Sequence, residues 1–485
     1  MAAACGQTPN LPPAIRRQNM TSSNKSKLHS TITETYKVPC ISLAGHPAKV
    51  TCDKPLTVDV PGSKSITNRA LLLATLADGT STLRNVLFSD DSRHFLRCVQ
   101  DLGFETTVDE ENKMITVTGR GGEVPFKEAK QYVGSAGTAA RFLTAYLGVS
   151  CGVYHMDASE QMRKRPMAPL LACLEELGCE IIYDTETTDK PALNTSDMPN
   201  SREGYFPFTL KSHGFAQNHI TVDIEHSSQF LSALLISSCL STEDFTIRVE
   251  GTHGMSYIEI TRKMMEQFGV LTRRTAPDCF FTKAGQHYHA LDYRIEPDVS
   301  AACYFYAMAP LLGIPVLVEH VHFSSMQGDI EFLRILERMG CSITDKPEGI
   351  LVLPPAGGAF EGITVDMSAC SDQAITLAAI APFAQTPTTI TGIGHIRFQE
   401  SNRIAAIVTE LTKMGIHCEE TESSITIYPG KPKPSLVETY DDHRMAMGFS
   451  LIGLRSEGIV IANPSCCRKT FENYFQVLEN AIHKL

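Results

Sequence analysis

A helix-like segment that ends in an apolar residue followed by glycine recurs five times along the 485-residue chain. The copies end at Leu102-Gly103, Leu177-Gly178, Phe268-Gly269, Met339-Gly340 and Met414-Gly415. Each glycine stands where a left-handed helix stop is expected. A short strand, a polar turn and a second strand follow: 105–108, 109–113 and 114–118 in one copy, 416–419, 420–423 and 424–428 in another. The period, roughly 70–90 residues, is too long for a thin solenoid. It fits an αβ unit used several times in compact domains, so the expected class is α/β. The polar stretch 184–203, with Pro191 and Pro199, interrupts the pattern and reads as a surface loop. If there are two lobes, the chain crosses between them more than once, and 293–298, just ahead of a new repeat, is the expected second crossing.

The net charge of −11 argues against general binding to nucleic acid or anionic membranes. An anion site in such a chain must be a local concentration of Lys and Arg. No apolar run approaches the ~20 residues needed to span a bilayer. The 15 cysteines lack paired CxxC spacing, so neither a zinc site nor a disulfide framework is indicated. They read as small buried residues of a reducing compartment, the adjacent Cys466 and Cys467 included. Residues 1–33 contain Arg16, Arg17, Lys25 and Lys27 but no Asp or Glu. That composition permits a transit peptide; a disordered tail is the simpler reading. The expected location is the cytoplasm, or a plastid if residues 1–46 are a transit peptide.

The run from Pro61 to Leu73 (PGSKSITNRALLL) is the densest in chemistry. A Gly turn is followed by hydroxyl residues and by a helix expected to begin at Ile66 or Thr67. Helix N-termini present unpaired N–H groups and partial positive charge. With Lys64 and Arg69 alongside, this is a seat for phosphate or carboxylate, although it is not a Walker loop. A capped helix with solvated cations is the alternative for this piece alone.

Further polar and charged groups occur far apart in sequence. Gly134 to Phe142 (GSAGTAARF) has small residues that admit a ligand close to the backbone, and Thr138 is a candidate cap. Gln161 to Pro166 carries three cations, which a solvated basic turn would also explain. Ser227 and Ser228 open an apolar helix, where they either cap it or bind an anion. Asp372 precedes another apolar helix and is either an N-cap or catalytic. Arg397, Glu400 and Arg403, then Arg444, then Lys469 complete the set. Asp441, Asp442 and His443 are contiguous, a poor spacing for metal ligands, and no metal is expected.

Together these runs resemble the 5-enolpyruvylshikimate-3-phosphate synthase family. PGSKS-x-x-NRALLLA, GSAGTAAR, the RP turn, SSQFLSALL, MQGD, YDDHRMAM and RKTF occur in the family's order from about residue 47 to the C-terminus. The resemblance implies a two-lobed inverse α/β barrel of six βαββαβ units with the active site in the interdomain cleft. The first lobe would comprise 47–62 and 297–485, the second 63–296, and 1–46 would be a disordered or targeting tail. It implies a transferase of the shikimate pathway, moving the enolpyruvyl group of phosphoenolpyruvate to the 5-hydroxyl of shikimate 3-phosphate. No metal or organic cofactor, nucleic-acid partner or membrane is implied, and a monomer is expected. By motif, Lys64, Gly137, Arg165, Gln229, Arg403, Arg444 and Lys469 match phosphoenolpyruvate contacts. Lys64, Ser65, Arg69, Ser227, Ser228, Gln229, Tyr257, Asp372, His395 and Gln399 match acceptor positions. Lys64, Asp372 and Glu400 are the catalytic candidates: Asp372 at the acceptor hydroxyl, Glu400 at the methylene carbon, Lys64 stabilising developing charge.

Four positions depart from the family pattern. His395 stands where Asn is common, Gln399 where Lys is usual, Gly254 where a phosphate-binding Ser is usual, and Gln161 for an Arg. The favoured expectation is that His395 or another cation compensates and the acceptor is unchanged. The alternatives are a different phosphorylated alcohol, or a non-catalytic phosphometabolite-binding relative. Gly137 leaves room beside the phosphate of phosphoenolpyruvate, which predicts sensitivity to the family inhibitor glyphosate. Phe142, where Pro is common, is expected to weaken that sensitivity.

Overall fold

The five repeated glycines all take left-handed φ angles, between 82° and 100°, at Gly103, Gly178, Gly269, Gly340 and Gly415. A side chain rarely adopts that conformation, so each helix ends where glycine permits the reversal. The strands that follow Gly103 are Glu105–Asp109 and Met114–Arg120, paired antiparallel. Those after Gly415 are shorter than expected, Cys418–Glu420 and Ile425–Ile427. The computed structural model describes residues 34–41, 50–183, 203–252 and 254–485, and most of the expected loop 184–203 lies outside them.

The architecture is α/β. Five four-stranded sheets and one of three strands occur among the described residues. The five four-stranded sheets share one pairing pattern, of which the sixth sheet has the parallel and one antiparallel pairing. In one sheet Glu128–Tyr132 runs parallel to Cys151–Asp157, which pairs antiparallel with Phe208–His213, itself antiparallel to Glu180–Tyr183. Two sheets are completed from far away in sequence. Leu56–Val58 lies parallel to Val316–Glu319, and Asp292–Arg294 lies parallel to Asp78–Arg84. Thr35–Lys37 pairs antiparallel with Ile459–Ala462, and Val38 is buried. The tail expected over 1–46 therefore includes a stretch that is built into a sheet.

Residues Glu34–Leu485 form one compact unit with two hydrophobic clusters inside it. One cluster draws on Val38 to Val60 and Val299 to Ala481. The other draws on Ile66 to Ile295. The chain passes between them twice, and the passages lie side by side. Ser63 N–H donates to Glu296 O at 2.8 Å, and Asp298 N–H donates to Pro61 O at 2.8 Å. Gly62 bridges Pro297 here, and a Cβ on it would fall 1.9 Å from Asn85 O, so no other residue fits.

Candidate active site

The helix Lys64–Leu76 begins earlier than expected because a distant carboxylate holds its first turn. Asp298 Oδ2 accepts from Lys64 N–H at 3.0 Å, while its Oδ1 accepts from Ala301 N–H at 2.9 Å. One side chain thus caps two helices at the paired crossing. Lys64 turns its ammonium toward the buried Asp91, with Nζ to Oδ2 at 3.7 Å. Burial, only partly offset by Lys469 and Lys64, raises the Asp91 carboxyl above the usual range. Arg69 is buried and donates to Thr261 Oγ1 (2.8 Å), Ser65 O (2.9 Å) and Tyr257 O (3.1 Å). Its Cζ stands 5.3 Å from the centre of the Phe142 ring. Burial pulls its pKa down to about 10, so it stays charged at neutral pH.

Cations from both hydrophobic clusters converge on two carboxylates. Glu400 Oε1 faces Lys469 Nζ at 3.2 Å and Arg165 Nη1 at 3.6 Å, and its Oε2 accepts from Arg403 Nη2 at 2.9 Å. Asp372 Oδ1 accepts from Arg403 Nη1 at 3.0 Å and its Oδ2 from Arg444 Nη2 at 2.7 Å. Behind them Arg403 Nε donates to the fully buried Asp442 at 2.8 Å. Burial alone would raise both carboxylic pKa values, but the cations outweigh it. Lys469, Arg165 and Arg403 hold Glu400 well below the carboxylate range. Arg444 and Arg403 hold Asp372 below it as well. Asp372 is thus neither a helix cap nor a solvated acid; it lies in the short 3-10 turn Ser371–Gln373.

Arg165, Asp372, Glu400, Arg403 and Arg444 line one cavity with Lys64, Ser65, Ser227, Ser228, Gln229, Tyr257 and Gln399, and Lys469 reaches Glu400 from behind that wall. The cavity measures about 90 Å³, its cations and carboxylates drawn onto one another. The Ser227 hydroxyl accepts from Gln229 N–H at 3.3 Å. Gln229 Oε1 is buried without a hydrogen-bond partner among the described residues. Burial first, then Asp329 and Asp372, push the Tyr257 phenol well above its ordinary value, so it remains a donor. Gly137 sits beside the cations: a Cβ on it would come within 2.8 Å of Arg165 Nη1 and 3.2 Å of Arg141 Nη1. Thr138 does not cap the helix Gly137–Gly148, which starts from Ala136 without a side-chain bond.

Three expected site positions lie elsewhere or act differently. His395 is absent from the cavity wall; its Nε2 bonds Ser371 Oγ at 2.8 Å. Gln399 lines the cavity, and its amide oxygen accepts from Arg403. Gly254 brings no hydroxyl, and that of the nearby Ser256 donates to Ala369 O at 2.8 Å. Phe142 lies within the unbroken helix Gly137–Gly148, its ring beneath the Arg69 guanidinium.

Sequence reasoning passed over Asp91, Asp298, Asp442 and Arg141. Asp442 had a signal available, since it directly precedes a long apolar helix and caps it at Arg444 N–H (3.0 Å). The contiguous Asp441 points elsewhere and accepts from Asn463 Nδ2 at 2.6 Å. Arg141 is buried, donating to Gly137 O and Pro166 O. Among the described residues no group of three His, Cys, Asp or Glu is arranged to hold a metal ion.

A family model described as EPSP synthase (3-phosphoshikimate 1-carboxyvinyltransferase) matches residues 55–478. A 3-phosphoshikimate 1-carboxyvinyltransferase of Trichormus variabilis is 44% identical over 420 residues, covering 86% of this chain and 94% of the relative. A relative from Arabidopsis thaliana, named as the chloroplastic 3-phosphoshikimate 1-carboxyvinyltransferase, is 38% identical over 438 residues, covering 87% of this chain and 81% of its own. A solved EPSP synthase from Acinetobacter baumannii superposes with a TM-score of 0.72, covering 92% of this chain and 98% of that one. At 23% identity that likeness speaks to fold.

Proposed function

The chain belongs to the EPSP synthase (3-phosphoshikimate 1-carboxyvinyltransferase) family, and from that premise we propose that it transfers the enolpyruvyl group of phosphoenolpyruvate to the 5-hydroxyl of shikimate 3-phosphate. The products are 5-enolpyruvylshikimate 3-phosphate and phosphate. The observation that carries this reading is the meeting of Arg165, Arg403 and Lys469 on Glu400, with Arg403 and Arg444 on Asp372. Phosphoenolpyruvate carries a phosphate and a carboxylate, and guanidinium forks pair with both.

The reaction is an addition followed by an elimination. The acceptor oxygen bonds to C2 of phosphoenolpyruvate as its proton leaves and C3 gains a proton. The C2–O bond to phosphate then breaks, and C3 gives a proton back as the double bond re-forms. Asp372, held ionised by Arg444 and Arg403, is suited to take the hydroxyl proton. Glu400 is ionised while Lys469, Arg165 and Arg403 surround it. Phosphoenolpyruvate competes for those same cations, so its binding raises the Glu400 pKa and readies the carboxyl to deliver a proton to C3. Lys64 stabilises charge developing between them. Ser65, Arg69, Ser227, Ser228 and Tyr257 hold the acceptor, while Gly137 and Gln229 face phosphoenolpyruvate.

The five sheets of common pairing pattern, with the sixth that shares part of it, support a fold of six βαββαβ units, three to a lobe. The lobes would be 34–41 and 50–62 with 297–485, and 63–296, and substrate would draw them together and exclude water. Phosphate release with phosphoenolpyruvate and shikimate 3-phosphate as the only substrates tests the assignment. A second reading, a different phosphorylated alcohol as acceptor, is favoured by the uncharged Gln399 and side-chain-free Gly254. Silence with shikimate 3-phosphate, together with release on another phosphorylated alcohol, would establish it.

A further inference from the structure

The acceptor side of the cavity carries an ionisable group that the family resemblance does not assign. His226, Ser227 and Ser228 form the turn between the strand His219–Asp223 and the helix Gln229–Ser237, and all three line the cavity. The His226 ring centroid lies 4.9 Å from that of Phe398, which belongs to the opposite side of the cavity beside Gln399 and Glu400. Phe398 is 52% exposed. The position one residue on, Gln399, brings an uncharged amide already bonded to Arg403. Gly254 brings no hydroxyl, the Ser256 hydroxyl is engaged by Ala369, and His395 is off the cavity wall.

We propose that His226 is the specificity-determining phosphate ligand on the acceptor side: its imidazolium donates to the phosphate held by Ser227 and Ser228, replacing the cation that Gln399 does not supply. This rests on the acceptor being shikimate 3-phosphate. A phosphate dianion favours the charged form of an adjacent imidazole, so acceptor binding takes up a proton near neutral pH. The Phe398 ring lies tilted against the exposed imidazole, at 56° to it. The neighbouring charges leave His226 its role. Glu225 precedes it in the chain. Arg397, next to Phe398, is tied to Glu420 Oε2 at 2.6 Å. Glu400 is balanced by three cations.

The test is the KM for shikimate 3-phosphate in the wild type, His226→Ala and His226→Lys, from about pH 6 to about pH 8.5, a window that brackets histidine ionisation. The ratio of variant to wild-type KM cancels the substrate's own phosphate ionisation. His226→Ala should raise that KM about tenfold at the acid end, with the ratio falling toward one as pH rises. Its KM for phosphoenolpyruvate and its kcat should stay within about twofold of wild type. His226→Lys should restore a low acceptor KM and hold it across the whole range. A ratio near one at every pH, in an enzyme active on shikimate 3-phosphate, overturns the assignment. So does an equal rise in both KM values, which would mark His226 as a support for Phe398 alone. A wild type inactive on shikimate 3-phosphate instead removes the acceptor assignment, and this one with it.

Discussion

Lys469 Nζ stands 3.2 Å from Glu400 Oε1, so a cation from near the C-terminus meets the carboxylate assigned to the methylene carbon. The pair defines what removing the carboxylate should do. Glu400→Gln deletes the proton carrier, and turnover should fall by about 10²- to 10⁴-fold. The same change frees Lys469, Arg165 and Arg403 from their shared counter-ion. The dissociation constant for phosphoenolpyruvate should therefore hold or tighten. Stopped-flow turnover with equilibrium binding on the same protein checks both, and near-normal turnover would remove Glu400 from the chemistry.

Gly137→Ala places a methyl group 2.8 Å from Arg165 Nη1, at the far end of a side chain that can give way. The fold should persist, and the guanidinium should shift. We expect the KM for phosphoenolpyruvate to rise by about fivefold to fiftyfold, with a smaller change for the acceptor. The wild type should be inhibited by glyphosate, and that inhibition should weaken in the same variant. Steady-state kinetics with each substrate varied in turn decide it: an unchanged KM for phosphoenolpyruvate would mean Gly137 lies away from that ligand.

Much of this was legible along the chain, and the exceptions share a cause. The five glycine stops, the hydroxyls at Ser227 and Ser228, and the cations at Arg165, Arg403, Arg444 and Lys469 are local or motif-borne. The start of the helix at Lys64 was not, because its cap, Asp298, lies beyond an intervening lobe-sized segment. Asp91 was hidden because nothing in its own stretch of sequence marks it as the partner of Lys64. A counter-ion is defined by what faces it in space, and Asp442 beside Asp441 and His443 suggests ligands until Arg403 is placed against it. His226 went unremarked because its neighbour across the cavity, Phe398, carries no chemistry of its own.

Asp329 offers a prediction of opposite sign to the cationic cluster. It is buried, accepts from Gln373 Nε2 at 3.0 Å and from the Ser300 hydroxyl, and leaves Oδ1 without a partner. Burial, then the nearby Asp372, raise its pKa to about 6. A carboxyl raised in the folded state contributes stability at pH below its unfolded value, and that contribution is lost as pH rises through about 6. Asp329→Asn should thus gain Tm relative to wild type across that interval and hold the gain above it. Asp372 and Glu400, held low, act the other way: their contribution exists above the unfolded carboxylate range and fades as pH falls through their depressed values. Thermal melts of wild type and Asp329→Asn between about pH 4 and about pH 8 separate the two, since a pH-independent difference would rule out the ionisation.

The backbone pairing of Gly62 with Pro297 ties the two passages of chain into a single two-ply strap. Under the closure proposed above, the final spacing of side chains supplied by opposite halves would be set at this joint as much as at the reacting atoms. Damage confined to the joint, leaving every ligand-facing group untouched, would blur that spacing and disable the whole assembly from a distance.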